Sequence, residues 1–327
     1  MNRFAKPFII ITGLLFLLFF VLSLRSIVSL SRIAGEEAEA EEAAYHFALF
    51  LPDEVQGFFP QVADGAREAA AEFDCALSFH PIGDGRLDLE MARFTGVDGV
   101  ALYPSIDDDE ARYILEELGA QGISVVLVEH ALTSESPWPF VGTNAFDIGK
   151  RIGELLKTPP GERVNAAIVY SEKSPGIYSE KDLVGLGITS AAGERLETPL
   201  SIRLTDLNPL DAEALVYGIL RNEPEITTIV FTDSRDTLAA AQVLIDMNLV
   251  GTVRLIGFGS DEAILEYVEK GILAATVVTN PTGIGYAAVE MLMELRRYGN
   301  APAYVDTGVR VVTADEVDEF RRGEDLP

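Results

Sequence analysis

His46, His80 and His130 are the only histidines in this chain, and each falls at or beside the end of an apolar run that reads as a strand. His80 and His130 follow their runs, at the carboxyl end, where ligands bind in open α/β sheets. His46 opens its run and belongs to the opposite edge. Asp53, Gln56, Tyr103, Ser105, Glu129, Asp233, Ser234, Thr279 and Asn280 also gather at carboxyl strand ends. Their hydroxyls, amides and carboxylates offer donors and acceptors to a polar ligand. Aromatic rings beside them suit sugar C–H faces and flat heterocycles. A metal held by His80, Glu129 and His130 fits poorly, because adjacent strand residues point to opposite sides. No nucleophile, base and orienting group stand together, so no catalysis is expected. H-E-x-x-H and zinc-finger spacings are absent. So are a P-loop and a G-x-S-x-G elbow. Gly257-Phe258-Gly259 and Gly283-Ile284-Gly285 do not complete a dinucleotide fingerprint. Neither a cofactor nor a metal is expected.

The elements that must position these residues repeat one grammar. "HFALFL" reads as a strand, and "FFPQVADGAREAAAEF" as a helix with Val62, Ala66, Ala69 and Phe73 at helical spacing. "CALSF" is a strand, "DLEMARF" a short helix and "VDGVALY" a strand. "DDDEARYILEELGAQG" is a helix with acids in its first turn and glycine at its end, and "ISVVLVE" is a strand. The second half runs from "FVGTN" into the helix "AFDIGKRIGELLKT", then alternates strands and helices to the long helix "GIGYAAVEMLMELRRYG". "AYVDTGVRVVT" closes the chain in extended segments. Near-continuous apolar strands are buried on both faces, the mark of a parallel sheet covered by helices. The expected class is α/β, with two halves of similar size. Phe58 and Phe59, adjacent at the first strand-to-helix junction, stand out, since neighbouring helix positions rarely both face a core.

The chain has 327 residues, with 25 basic against 52 acidic and a formal charge of -27. That balance disfavours nucleic acid and anionic membrane surfaces as partners. The single cysteine, Cys75, excludes an intrachain disulfide. Arg3 and Lys6 precede an uncharged run of 17 residues, Phe8 to Leu24, which just reaches across a hydrocarbon core. The only A-x-A-like site, Ala38-Glu39-Ala40, lies far downstream. A single-pass anchor over 1–32 is therefore expected, with the rest of the chain outside the cytoplasm. A cleaved signal and a secreted product are the second choice. Residues 33–45, with the five glutamates of "GEEAEAEEAA", read as an acidic spacer.

In order and spacing the segments from 46 to 315 resemble the type I periplasmic binding proteins, in the branch of the ribose-binding protein and the lactose-repressor effector domains. "QGFFPQVADGAREAAAEF" looks like that family's Asn-Pro-Phe-Phe loop and the helix after it. "GVDGVALYPSID" resembles its third strand and proline turn, and "GISVVLVEHALTSESPWPFVGTNAFDIGKRIGELL" its fourth strand and crossover. "ITTIVFTDSRDTLAAAQVL", "VRLIGFGSDEAILEYVEKGILAATVVTNPTGIGYAAVEML" and "VDTGVRVVT" match the remaining segments in order.

The resemblance implies two doubly wound lobes joined by a three-strand hinge, with ligand between them. Lobe 1 would be 46–142 plus 281–308, and lobe 2 would be 143–280 plus 309–327. The family's loop asparagine matches Gln56, and its two phenylalanines match Phe58 and Phe59. Its sugar-binding Asp-Arg pair matches Glu129 and His130. Its next asparagine matches Asp233. Gly259 replaces the aspartate of Gly-Phe-Asp, leaving Phe258, and its last cleft glutamine matches Thr279. Tyr103 joins these as an expected ligand contact. Lys173, Tyr178 and Lys181 are options for the second-lobe arginine. The function implied is capture of a small polar ligand, a sugar or sugar-like molecule, for uptake by an ABC transporter or for sensing. The alternative is a membrane-anchored sensory or protein-interaction module with a degenerate site, for example a partner of a histidine kinase. A repressor would need a basic N-terminal helix-turn-helix, where this chain has an apolar span and an acidic run.

Overall fold

The computed structural model describes residues 45–53, 57–83, 86–132, 136–157, 163–171, 177, 180–197, 199–206 and 208–323. The expected anchor and the acidic spacer up to residue 44, together with Gln56, Lys173 and Tyr178, lie outside the described residues. Among the described residues no helix is long and apolar enough to cross a membrane.

Two six-stranded sheets organise the chain. The first contains β1 (His46–Pro52), β2 (Ala76–Ile82), β3 (Gly99–Leu102), β4 (Ser124–Val128), β5 (Phe140–Gly142) and the late β11 (Tyr304–Asp306). Its order is β11-β5-β4-β3-β1-β2, parallel throughout. The second contains β6 (Ala166–Ser171), β7 (Ser201–Thr205), β8 (Thr228–Phe231), β9 (Arg254–Phe258), β10 (Ala275–Thr279) and β12 (Val309–Val312). Its order is β12-β10-β9-β8-β6-β7, with only the β10–β12 pair antiparallel. In both sheets the order reverses next to the first strand, which opens a crevice at the carboxyl ends. The central strands are buried on both faces, as in Phe47–Leu51 and Ala166–Ser171, because helices cover each side.

The helices are α1 (Phe58–Phe73), α2 (Arg86–Glu90), α3 (Asp108–Ala120), α4 (Ala145–Leu155), α5 (Lys181–Ala192) and α6 (Pro209–Asn222). Then come α7 (Ser234–Asp246), α8 (Glu262–Glu269), α9 (Pro281–Tyr298) and α10 (Val317–Arg321). The expected "DLEMARF" helix is α2 followed by a 3-10 turn over Met91–Phe94. The tail differs from the extended segments expected there, since it ends in α10. That helix is held by Arg321, which donates to Glu262 and Glu269 of α8.

Two helix crossings set the fold near the crevice. A Cβ on Gly65 of α1 would lie 1.8 Å from the Thr282 carbonyl oxygen of α9, and one on Gly285 would lie 1.8 Å from that of Val62. The second sheet repeats the device between α4 and α5. There a Cβ on Gly149 would meet the Val184 oxygen at 2.0 Å, and one on Gly187 the Phe146 oxygen at 2.2 Å. Only glycine permits backbones this close.

The chain passes between the sheets after β5, after β10 and between β11 and β12. Asp306 braces two of these passages. Its Oδ1 accepts from the Asn144 N–H at 3.2 Å and from the Gly308 N–H at 3.0 Å.

Candidate ligand-binding cleft

A cavity lies where the carboxyl ends of both sheets meet the helices that follow them. From the first sheet come Phe58 and Gln61 of α1 and Glu129 beyond β4. From the second come Asp233 and Arg235 after β8, Phe258, Ser260 and Asp261 after β9, and Thr279 at the end of β10. Thr143, at the first passage, completes the wall. The free volume is about 80 Å³, where one water takes about 10–15 Å³. That leaves room for a molecule carrying several polar groups.

Phe58, Glu129, Asp233, Phe258 and Thr279 are thus brought together by the fold. Phe59, Tyr103 and His130 are not among the cavity's lining residues. Phe59 is 2% exposed and packs in the core of the first lobe with Val62, Ala101 and Val128. Its ring meets Phe58 edge-on at 5.2 Å and Tyr103 at 5.2 Å. The adjacent phenylalanines therefore divide the work, one ring on the cavity and one behind it. His130 turns toward α3, with Nε2 3.0 Å from Asp108 Oδ1. Lys181 opens α5, where its carbonyl accepts from the Tyr170 hydroxyl at 3.2 Å, and it does not line the cavity.

Glu129 occupies an unusual backbone position, with φ 57. Left-handed geometry is costly for a residue with a Cβ. Glu129 Oε1 accepts from the Thr143 N–H and from Thr143 Oγ1, each at 3.2 Å. Burial pushes its carboxyl up to about 8, against the lowering effect of Thr143, while Glu180 and Asp306 push it further up. Asp233 caps α7 by accepting from the N–H groups of Arg235 and Asp236. Its carboxyl is raised by burial, and those two donors offset part of the rise. Behind it Asp236 is fully buried against the Thr205 hydroxyl, and burial raises its carboxyl to about 6.

Gln61, Thr143, Arg235, Ser260 and Asp261 were absent from the sequence-based site. Gln61 was within reach of sequence reasoning, since it follows Phe58 by three residues on a helix. Asp261 follows Gly259 by two, and it supplies a cavity carboxylate two positions after the residue where the resemblance expects one. A side chain at position 259 would be strained. Its φ is 101, and a Cβ there would come within 2.9 Å of Ser234 Cβ. Asp261 heads α8 without a side-chain capping bond, so its carboxylate is not engaged by the helix. Among the described residues no three His, Cys, Asp or Glu side chains form a group that could hold a metal.

No curated protein sequence matches the chain. Several solved structures share its fold. A glucose-galactose binding protein, GanP, from Geobacillus stearothermophilus is 23% identical, with a TM-score of 0.74 over 84% of this chain and 98% of that one. A periplasmic solute-binding protein of an ABC transporter from Actinobacillus succinogenes, with bound D-allose, is 18% identical. Its TM-score is 0.75 over 84% of this chain and 99% of that one. A solute-binding protein of an ABC transporter from Bacillus halodurans, with bound myo-inositol, is 19% identical. Its TM-score is 0.74 over 86% of this chain and 99% of that one. The family model described as "Periplasmic binding protein domain" matches residues 47–300. The chain belongs to the periplasmic binding protein domain family.

Proposed function

We propose that this chain is an extracytoplasmic solute-binding protein that takes a sugar or sugar-like molecule into the cleft and delivers it to an ABC transporter. The observation that carries this reading is the composition of the cavity. Two aromatic rings, Phe58 and Phe258, share one wall system with carboxylates and hydroxyls from both sheets. Rings suit the C–H faces of a polyol, and the polar groups suit its hydroxyls. The ligands named for the similar structures, galactose or glucose, D-allose and myo-inositol, are polyols of this kind.

The lobes divide at 142/143, 280/281 and 308/309 in this reading, and ligand closes them by bending at those three passages. The run Phe8 to Leu24 holds the protein at the membrane as a single-pass anchor. Thermal-shift screening of the full chain in detergent against sugars and cyclitols tests the binding function. A rise in Tm with at least one of them is expected, and no shift across the panel would count against it. Membrane fractionation tests the anchor, because a soluble product starting after about residue 30 means a cleaved signal instead.

A further inference from the structure

We propose that the cleft is built for a cationic polyol, a monosaccharide-sized ligand whose protonated amine sits against Glu129. The inference rests on the sugar-binding reading above and narrows the ligand class of the same site. Glu129 is 8% exposed. Its Oε1 is occupied by the two donors of Thr143, and no hydrogen bond from a described residue reaches Oε2. The residue lines the cavity from a left-handed backbone position, φ 57. Strain of this sort persists where the surroundings enforce it, and it gathers at ligand-binding sites.

The charges around it are mostly negative. Asp233 and Asp261 line the same cavity, and Arg235 is the only cationic side chain among its described lining residues. Glu180 and Asp306 also act on the Glu129 carboxyl. His130, the neighbouring base, is turned to Asp108 on α3. An ionised Glu129 would be costly in so buried a place unless a charge of opposite sign paired with it. A ligand ammonium provides that charge, displaces the Glu129 proton to solvent, and donates to the ionised Oε2 in a charge-assisted hydrogen bond. The same field disfavours sugar phosphates and sugar acids.

Calorimetric titration of the full chain in detergent, at about pH 6.5 where an amine is protonated, compares glucosamine, galactosamine and mannosamine with glucose, galactose and mannose. At least one amino sugar is expected to bind at least about tenfold more tightly than its hydroxyl parent, the size of one charge-assisted bond. Glu129→Gln is expected to bring that ratio to within about threefold of unity. Neutral sugars binding as well as or better than their amines would overturn the proposal and leave the sugar-binding reading standing. Absence of binding in both series would overturn the proposal, and the wider panel of pentoses and cyclitols then decides the sugar-binding reading. A ratio that survives Glu129→Gln also overturns it, since the ammonium then sits elsewhere. The parent ratio alone decides if that variant does not fold.

Discussion

Glu129 and Thr143 are joined by two hydrogen bonds at 3.2 Å, from the Thr143 N–H and from its hydroxyl, onto the single oxygen Oε1. The pair links the end of β4 to the first passage between the lobes. It therefore ties a cavity carboxyl directly to a segment that joins the two sheets.

The first expectation concerns pH. Unfolded, Glu129 has an ordinary carboxyl near 4.5, and folded its value is about 8. Below 4.5 both states hold the proton, so its effect on stability is absent. Between the two values the folded state keeps a proton that the unfolded chain has released. Stability then falls as pH rises, by roughly 1.4 kcal/mol per pH unit from this group. Above about 8 both states are ionised and the loss levels off. Asp236 adds a similar slope that ends lower, at about 6. Denaturant unfolding of the parent and Glu129→Gln from about pH 5 to 8 should show a flatter profile in the variant. Parallel profiles would mean that Glu129 is ionised in the folded chain.

The adjacent phenylalanines should separate by phenotype. Phe59 is 2% exposed in the lobe core, so Phe59→Ala should cost about 3–5 kcal/mol of stability. Phe58 is half-buried and lines the cavity. Phe58→Ala should leave most stability intact and weaken sugar binding about tenfold, the upper range for one aromatic contact. Chemical denaturation and calorimetric titration of both variants read the difference. Equal affinity in Phe58→Ala and the parent would remove that ring from the ligand surface.

Glycine at the α1–α9 crossing should be irreplaceable. Gly285→Ala gains about 1 kcal/mol of helix propensity, but its Cβ would lie 1.8 Å from the Val62 oxygen. Overpacking of this kind costs about 3 kcal/mol or more, so net destabilisation is expected. Gly218 in α6 has nothing within 4 Å of an added Cβ, and Gly218→Ala should be neutral or stabilising. A thermal melt of each variant checks the contrast.

The fold was legible in the sequence because its strands are continuous apolar runs and its helices carry a clean period. Phe47–Leu51 and the stripe Val62, Ala66, Ala69 became β1 and α1 with the expected faces buried. The short helix α10 was not legible, since its five residues hold on through Arg321 to acids far away in sequence. The cavity lining was legible where position after a strand decides it, as for Glu129, Asp233 and Thr279, and through the resemblance for Phe58 and Phe258. It was not legible where backbone geometry decides it. Glu129 adopts a left-handed conformation, and His130 pairs with Asp108 of α3. Gly259 has a φ of 101 and no room for a Cβ beside Ser234, and the cavity carboxylate nearby is Asp261.

The central claim is that the cavity binds a polyol. Calorimetric titration of the full chain with neutral hexoses, pentoses, amino sugars and cyclitols tests it most directly. Saturable one-to-one binding of at least one of them at about micromolar Kd or tighter is expected, weakened in Phe58→Ala. No binding heat from any member of the panel, with the protein folded by its thermal melt, would contradict it.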